Sequence, residues 1–264
     1  MTQTDAIRTT DAAPPSGRIV APRAASAAGD AKSAGATRIL VIDVGGTNVK
    51  VGGTGRRAPV KIPSGKKMTA AHMASAVLRA TEGWEYDAVS IGYPGPVAHG
   101  KPAAEPANLG RGWVRFDYKK AFKKPVRIVN DAAMQALGAY RGSRMLFLGL
   151  GTGLGSALVV EGVLVPLELA HLPYRNGRSF EDYVGWRGEK RLGRKKWKKH
   201  VAIVVDILRH AMQAEHVVIG GGAAKKLDRL PSGVRLGTNA HAMIGGERLW
   251  DGAGRRRAGR GGAK

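Results

Sequence analysis

Arg38-Ile-Leu-Val-Ile-Asp43-Val-Gly-Gly-Thr47 is a β-rich apolar run that stops on two glycines and a threonine, and from Asn48 to Gly52 the chain resumes short β-like character. The same grammar returns at Met145 to Leu150, followed by Gly151-Thr152-Gly153-Leu154-Gly155 and then Ser156 to Val160. A strand, a glycine turn of phosphate size and a second strand thus occur twice in one chain. Such repetition points to a duplicated α/β domain, each copy offering its turn to a ligand held between them.

The stretches around these two turns extend the pattern. Thr69 to Arg79 is compatible with a helix, and Ala88 to Ile91 and Val126 to Val129 read as strands. Asn130 and Asp131 close the latter, and Ala132-Ala-Met-Gln-Ala-Leu137 is strongly helix-forming, so Asp131 is expected at a helix N-terminus directly after a strand end. Ligands of α/β folds gather at such places. Trp197, Val201, Val204, Val205, Leu208 and Met212 fall at helical spacing, leading to a strand at Val217 to Ile219 that again ends in glycine, Gly220-Gly221-Gly222. The expected organisation is a leader at 1–36 and a smaller α/β domain at 37–129, completed by a C-terminal helix at 240–251. A larger α/β domain at 130–239 and a basic tail at 252–264 follow. The leader and tail lack the periodic apolar residues that would offset the entropy of ordering, and both are read as disordered.

Composition narrows the classes. With no cysteine among 264 residues there is no disulfide, thiolate metal site or catalytic thiol. Apolar runs such as Ile39 to Val44 fall far short of the roughly 20 residues of a membrane span, and no secretory signal is recognisable, so a cytoplasmic protein without membrane attachment is expected. Forty-three Lys and Arg against twenty Asp and Glu leave a net charge of +23, a field that attracts polyanions. The densest run, Arg187 to His200, reads either as a solvated helix face or as a polyanion track. Its Trp197 sits at core spacing rather than on a stacking platform, which disfavours nucleic acid.

The chemistry-bearing residues each have a structural and a functional reading. In Asp43-Val-Gly-Gly-Thr47, backbone lacking Cβ admits a ligand closely, successive amides cradle phosphate oxygens, and Asp43 suits a hydrated Mg2+. A hairpin turn with glycine at positive φ is the plain alternative. Gly149 to Gly155 fits neither the dinucleotide nor the P-loop fingerprint. Asp131 is the candidate general base for phosphoryl transfer to an alcohol, or a simple helix cap kept ionised by the helix dipole. Glu168, His171 and Glu181 suit the vicinal hydroxyls of a sugar, and no second ligand at metal spacing accompanies His171.

Taken in order, Asp43-Val-Gly-Gly-Thr-Asn-Val-Lys50, Tyr93-Pro-Gly-Pro-Val97, Asn108 with Trp113, Val129-Asn-Asp131, Leu150-Gly-Thr-Gly-Leu-Gly-Ser-Ala-Leu158, Leu167-Glu-Leu-Ala-His171, Glu181 and Ile219-Gly-Gly-Gly222 resemble the ROK sugar kinases. Gly162 to Leu172 is most similar to their polyphosphate glucokinase branch. The resemblance implies an actin-like ATPase (ribonuclease H-like) fold of two α/β domains around a cleft. It implies Mg2+-dependent transfer from polyphosphate or ATP to the 6-hydroxyl of glucose, and a homodimer. It makes Asp131 the catalytic base and Asn130, Glu168, His171 and Glu181 the sugar contacts. The donor falls to Asp43, Gly45, Gly46, Thr47, Asn48 and Lys50, to Gly151, Thr152 and Gly153, and to Gly220, Gly221 and Gly222, the last three on the adenosine side. Departures are the missing cysteine-rich zinc motif, Ala170 where glycine usually precedes the histidine, and Tyr140-Arg141 where an acid is common. The alternatives are a kinase for mannose or an N-acetyl sugar, and a non-catalytic sugar sensor or nucleic-acid-associated regulator.

Overall fold

The computed structural model describes residues 37–251 except 57 and 239. The expectations for 1–36 and 252–264 lie outside the described residues. Strands β1 (Ile39–Val44), β2 (Asn48–Gly53), β3 (Val60–Pro63) and β4 (Ala88–Tyr93) form the first sheet together with a later strand. Helix α1 (Ala70–Ala80) follows β3 and begins at Thr69, whose side chain accepts from the His72 amide. A small hairpin, β5 (Val97–Ala98) and β6 (Lys101–Pro102), and helix α2 (Tyr118–Phe122) precede β7 (Val126–Asn130). The sheet order is β3-β2-β1-β4-β7, with β4 and β7 parallel to β1 on one side and, on the other, β2 antiparallel to both β1 and β3.

Helix α3 (Asp131–Ala139) leads into β8 (Met145–Leu150), β9 (Leu154–Val160) and β10 (Val163–Leu167). A short hairpin of β11 (Pro173–Arg175) and β12 (Arg178–Ser179) comes next, followed by α4 (Phe180–Val184), α5 (Trp186–Ala211), β13 (His216–Gly220), β14 (Val234–Leu236) and α6 (Ala240–Arg248). The second sheet runs β10-β9-β8-β13-β14. Its founding strand, its antiparallel pair on one side and its parallel pair on the other repeat the first sheet, so the duplication legible in the glycine turns extends to the topology.

Alternation along the founding strands explains how both sheets are covered on two faces. Leu40, Ile42 and Val44 pack with Met73 and Val77 of α1, while Ile39 and Val41 face Met134 and Ala242 of α3 and α6. In the second sheet Leu146, Leu148 and Leu150 join Trp197, Val201 and Val205 of α5, and Met145 and Phe147 face Ala132, Ala133 and Ala136 of α3. Helix α3 is therefore enclosed between the two sheets, which its run of alanines permits. Helix α6 lies on the first sheet, where Ser90 Oγ donates to the Gly246 carbonyl at 2.6 Å and the Trp250 indole donates to Ser90 Oγ at 2.8 Å.

Two local readings change. The second glycine turn is tighter than expected, because β9 starts at Leu154 and the Gly151 amide closes on the Gly153 carbonyl at 3.2 Å. The helix centred on Trp197 begins at Trp186 and is broken at Gly193, whose φ of 75° and ψ of 155° interrupt the helical path.

Helices α3 and α6 cross at backbone contact. A Cβ on Gly138 would lie 1.9 Å from the His241 carbonyl oxygen, and one on Gly245 would lie 1.8 Å from that of Met134. Neither obstacle is a side chain that could swing away. Gly245→Ala is accordingly expected to lower unfolding free energy by at least about 2 kcal/mol, measured by urea denaturation, whereas Gly222→Ala, at a residue outside the left-handed region with open space around it, serves as the contrasting change.

Candidate active site

The two glycine turns share an electronic feature. In the first, the Gly45 amide donates to the Asn48 carbonyl at 3.1 Å and Ser64 Oγ donates to the Gly45 carbonyl at 2.6 Å. Among the described residues, the next two amides, of Gly46 and Thr47, meet no protein acceptor. In the second, the Gly151 amide is used within the turn and the Trp186 amide secures the carbonyls of Gly151 and Thr152 at 3.1 and 3.2 Å. The amides of Thr152 and Gly153 are again left without a protein acceptor among the described residues. Two consecutive free amides on each turn form the concavity that phosphate oxygens fill. The hairpin reading based on positive φ does not hold for the first turn: neither Gly45 nor Gly46 is left-handed, and a Cβ on Gly45 would instead press on the Asn48 carbonyl oxygen at 2.8 Å.

Asp43 is the fifth residue of β1, nearly inaccessible to solvent, with Lys50 Nζ 3.3 Å from its carboxylate across the antiparallel pair. Burial pushes the Asp43 carboxyl up and Lys50 opposes this. Lys50 is thus committed to Asp43 here rather than held free for a donor. On its other side Asp43 pairs with Gly92 of β4, and a Cβ on Gly92 would come within 3.5 Å of the Asp131 Cα. Gly92, which the sequence reading passed over, is the bare patch that lets the start of α3 settle beside Asp43. A strand glycine in Ser-Ile-Gly-Tyr was the signal available.

The cap of α3 is Asn130, not Asp131. Asn130 Oδ1 accepts from the amides of Ala132 and Ala133, and its Nδ2 donates to the Gly95 carbonyl at 3.1 Å. Of the two N–H groups on Asn130 Nδ2, one is used on the Gly95 carbonyl and the other has no protein acceptor among the described residues. Asp131 occupies the first helical position and Oδ1 accepts from the Ala132 amide at 2.8 Å. Its pKa is pushed up to about 7, first by burial and then by Asp43, against the opposing pull of the backbone amides and Lys50. The expectation that the helix start would hold Asp131 firmly ionised is corrected: desolvation and a neighbouring carboxylate outweigh the amide dipoles.

The other predicted contacts fall into two groups. Glu181 lies on α4 with Oε2 toward the Leu154 amide at 3.4 Å, packed so closely over Gly153 that a Cβ there would be 2.0 Å from that oxygen. Its amide donates to the Ala170 carbonyl, which ties α4 to the residue before His171. Glu168 and His171 approach each other to 4.0 Å and are largely exposed. Gly155 meets Ala132, so the second turn touches both the start of α3 and Glu181. Gly221 packs on the Leu150 backbone, and the Ala223 amide donates to the Leu150 carbonyl, placing the third glycine stretch beside the entry to that turn. Asn108, quoted for its motif but given no role, has its Cβ 3.4 Å from a Cβ position on Gly46 and so flanks the first turn.

Comparison with known proteins agrees with this arrangement. The chain is 28% identical over 209 residues to the polyphosphate glucokinase of Mycobacterium tuberculosis strain CDC 1551 / Oshkosh, covering 71% of this chain and 78% of that protein. It superimposes on the inorganic polyphosphate/ATP-glucomannokinase from Arthrobacter sp. strain KM with a TM-score of 0.68 at 23% identity, over 80% of this chain and 97% of the other. The chain is a relative of the polyphosphate glucokinases with the ROK sugar kinase fold. That fold is the actin-like ATPase architecture expected from the motifs. The ROK family glucokinase from Streptomyces griseus, solved with glucose and AMPPNP, gives a TM-score of 0.66 at 16% identity, over 80% and 98% of the two chains. No protein-family model matches. No described helix is long and apolar enough to cross a membrane.

The donor set suits a divalent cation. Burial and Asp43 raise the cost of ionising Asp131, and Lys50 offsets only part of it, an imbalance that Mg2+ would relieve. Among the described residues no cluster of three or more His, Asp or Glu could hold a metal alone, so phosphate and water oxygens would complete its shell.

The raised pKa also has a stability consequence. An acid whose folded pKa exceeds its unfolded value keeps its proton longer in the native state, so stability is lost as pH rises from 3.8 through about 7. Asp131→Asn should therefore melt above wild type at about pH 8, with the gap closing as pH falls toward 4, followed by thermal denaturation across that range.

Proposed function

We propose that the protein is a hexose kinase that transfers a phosphoryl group from polyphosphate or ATP to the 6-hydroxyl of glucose, with Asp131 as general base. The observation that carries the reading is a half-buried carboxylate with a pKa near 7, beside a second acid. A base poised near the operating pH is the compromise that general catalysis favours, combining a large ionised fraction with real proton affinity. The names of the relatives, polyphosphate glucokinase and polyphosphate/ATP-glucomannokinase, support the donor and sugar classes.

In this mechanism the free amides of Gly46, Thr47, Thr152 and Gly153 hold the oxygens of the donor. Gly220 to Gly222, which pack beside the entry to the second turn, would take the adenosine side of a nucleotide. Asn130, through its remaining N–H, and Glu181, through Oε1, orient the sugar together with Glu168 and His171 on the exposed rim. Asp131 accepts the proton of the attacking hydroxyl as the new P–O bond forms and the bond to the donor oxygen breaks, with the charge of a loose transition state spread over the phosphoryl oxygens. Mg2+, held by Asp43 through water, would neutralise charge on the transferring group. Retention of this acid pair favours catalysis over a sugar sensor or a nucleic-acid-associated regulator.

Purified protein with Mg2+, glucose and either donor is expected to yield glucose 6-phosphate, and no product with any hexose and either donor would overturn the reading. Asp131→Asn should lower kcat by about 100- to 10,000-fold with glucose affinity nearly unchanged. The wild-type kcat/KM should rise with pH through an ionisation near 7. Mg2+ should raise the melting temperature of the wild type and lose that effect in Asp43→Asn.

A further inference from the structure

We propose that the hairpin of β11 and β12, with the facing part of α5, forms a second anion site that holds inorganic polyphosphate beyond the transferring end. Arg175, Arg178 and Arg191 are its cationic groups, and the His200 imidazole packs among the tyrosine rings beside them. The proposal rests on the donor reading above and adds residues outside the catalytic turns.

The cluster is built around aromatic rings. Tyr174 OH and His200 Nδ1 are 3.1 Å apart, and the Tyr183 ring lies 4.7 Å from the imidazole. The Arg175 guanidinium stands 5.2 Å from the Tyr174 ring and that of Arg191 stands 5.1 Å from the Tyr183 ring. Arg178 pairs in register with Arg175 across the Asn176-Gly177 turn. Among the described residues none of these three arginines lies within 4.0 Å of a carboxylate. The nearby acid, Asp182, is engaged by Ser179 in the capping box of α4. Burial first, and then the charges of Arg175 and Arg191, push the His200 imidazole below its ordinary range, and Asp182, already bonded to Ser179, is among the described residues the one acid whose carboxyl Arg191 and Arg178 help to hold low. Gathering like charges around an imidazole opposes folding unless an anion takes its place among them.

Position decides what the anion is. The hairpin joins His171 to Glu181, and Glu181 covers Gly153 of the second phosphate turn. Helix α4 is five residues long, about 7 Å, so Tyr183 and its arginine neighbours stand a single short helix from the donor turn. A nucleotide triphosphate would be spent at the turns, whereas a longer phosphate chain would continue over this surface. Planar guanidinium groups hold phosphate oxygens through paired donors, and aromatic stacking pre-orders them for it.

The test uses the full chain and three probes: long-chain inorganic polyphosphate, tripolyphosphate and ATP. For the double variant Arg175→Ala/Arg178→Ala, calorimetric affinity for long-chain polyphosphate is expected to fall at least about ten-fold with a shallower salt dependence. Affinities for tripolyphosphate and ATP should stay within about two-fold. Equal losses for all three probes, unchanged long-chain binding, or tighter retention of duplex DNA than of polyphosphate at matched phosphate concentration would each overturn the proposal. If no donor yields glucose 6-phosphate with the wild type, the kinase reading fails while the calorimetric comparison still decides the site. Arg178→Gln, at an exposed residue outside the ring contacts, gives the same comparison if the double variant loses its cooperative melt.

Discussion

Helix α3 has no side open to accommodate error. The two sheets enclose it, Met134 packing against the first and Ala132, Ala133 and Ala136 against the second, while α6 crosses it at Gly138 and Gly245 with backbones in contact. A side chain at Gly138 or Gly245 would have to displace main chain. The helix is therefore placed by exclusion, and its first residue is Asp131. Asp131 thus inherits its position from a helix packed on all sides, the kind of rigid support that a precisely placed functional group requires.

That position is unfavourable for the carboxylate itself. Burial and Asp43 raise its pKa, and the amides at the start of α3 together with Lys50 recover only part of the loss. The same arrangement supplies a base that titrates near neutrality. Stability lost with rising pH and the proton affinity of the buried carboxylate are two readings of one displaced equilibrium. Asn130 makes this tolerable by capping α3, which leaves Asp131 free of the structural duty that its helix-start position would otherwise assign it.

Much of the architecture was legible because it is local. The runs ending at Gly45 and Gly151, the alanines after Asp131 and the helical spacing of Trp197, Val201 and Val205 each announce an element, and their repetition announces the duplicated topology. The site was legible as a set of residues and less so as a set of roles. Asp131 was read as cap as well as base, whereas the cap falls to Asn130, since neighbouring residues compete for one helix start and sequence does not weigh a desolvation cost. Gly92 was overlooked because its purpose is to be absent beneath a helix forty residues further along the chain. Lys50 was read as a donor contact, but the strand register that sets it against Asp43 depends on the turn between them. Glu181 was grouped with Glu168 and His171, and only the folded backbone shows its carboxylate over Gly153.

The charge distribution reconciles an acidic centre with an anionic substrate. The chain carries +23 overall, yet the groups nearest the reacting atoms are two carboxylates and one lysine already paired. A polyanion is drawn by the long-range field, whose reach is set by screening at about 10 Å in 0.1 M salt, but it meets local repulsion at Asp43 and Asp131. Uncharged amides on the two turns resolve part of the conflict, because they attract phosphate without requiring a cation beside the base that would hold Asp131 at a low pKa. Among the described residues the one cation that bears on Asp131, Lys50, is paired with Asp43 and offsets only part of its raised pKa, while the arginines of the β11–β12 hairpin and α5 are not among the charges that shift it.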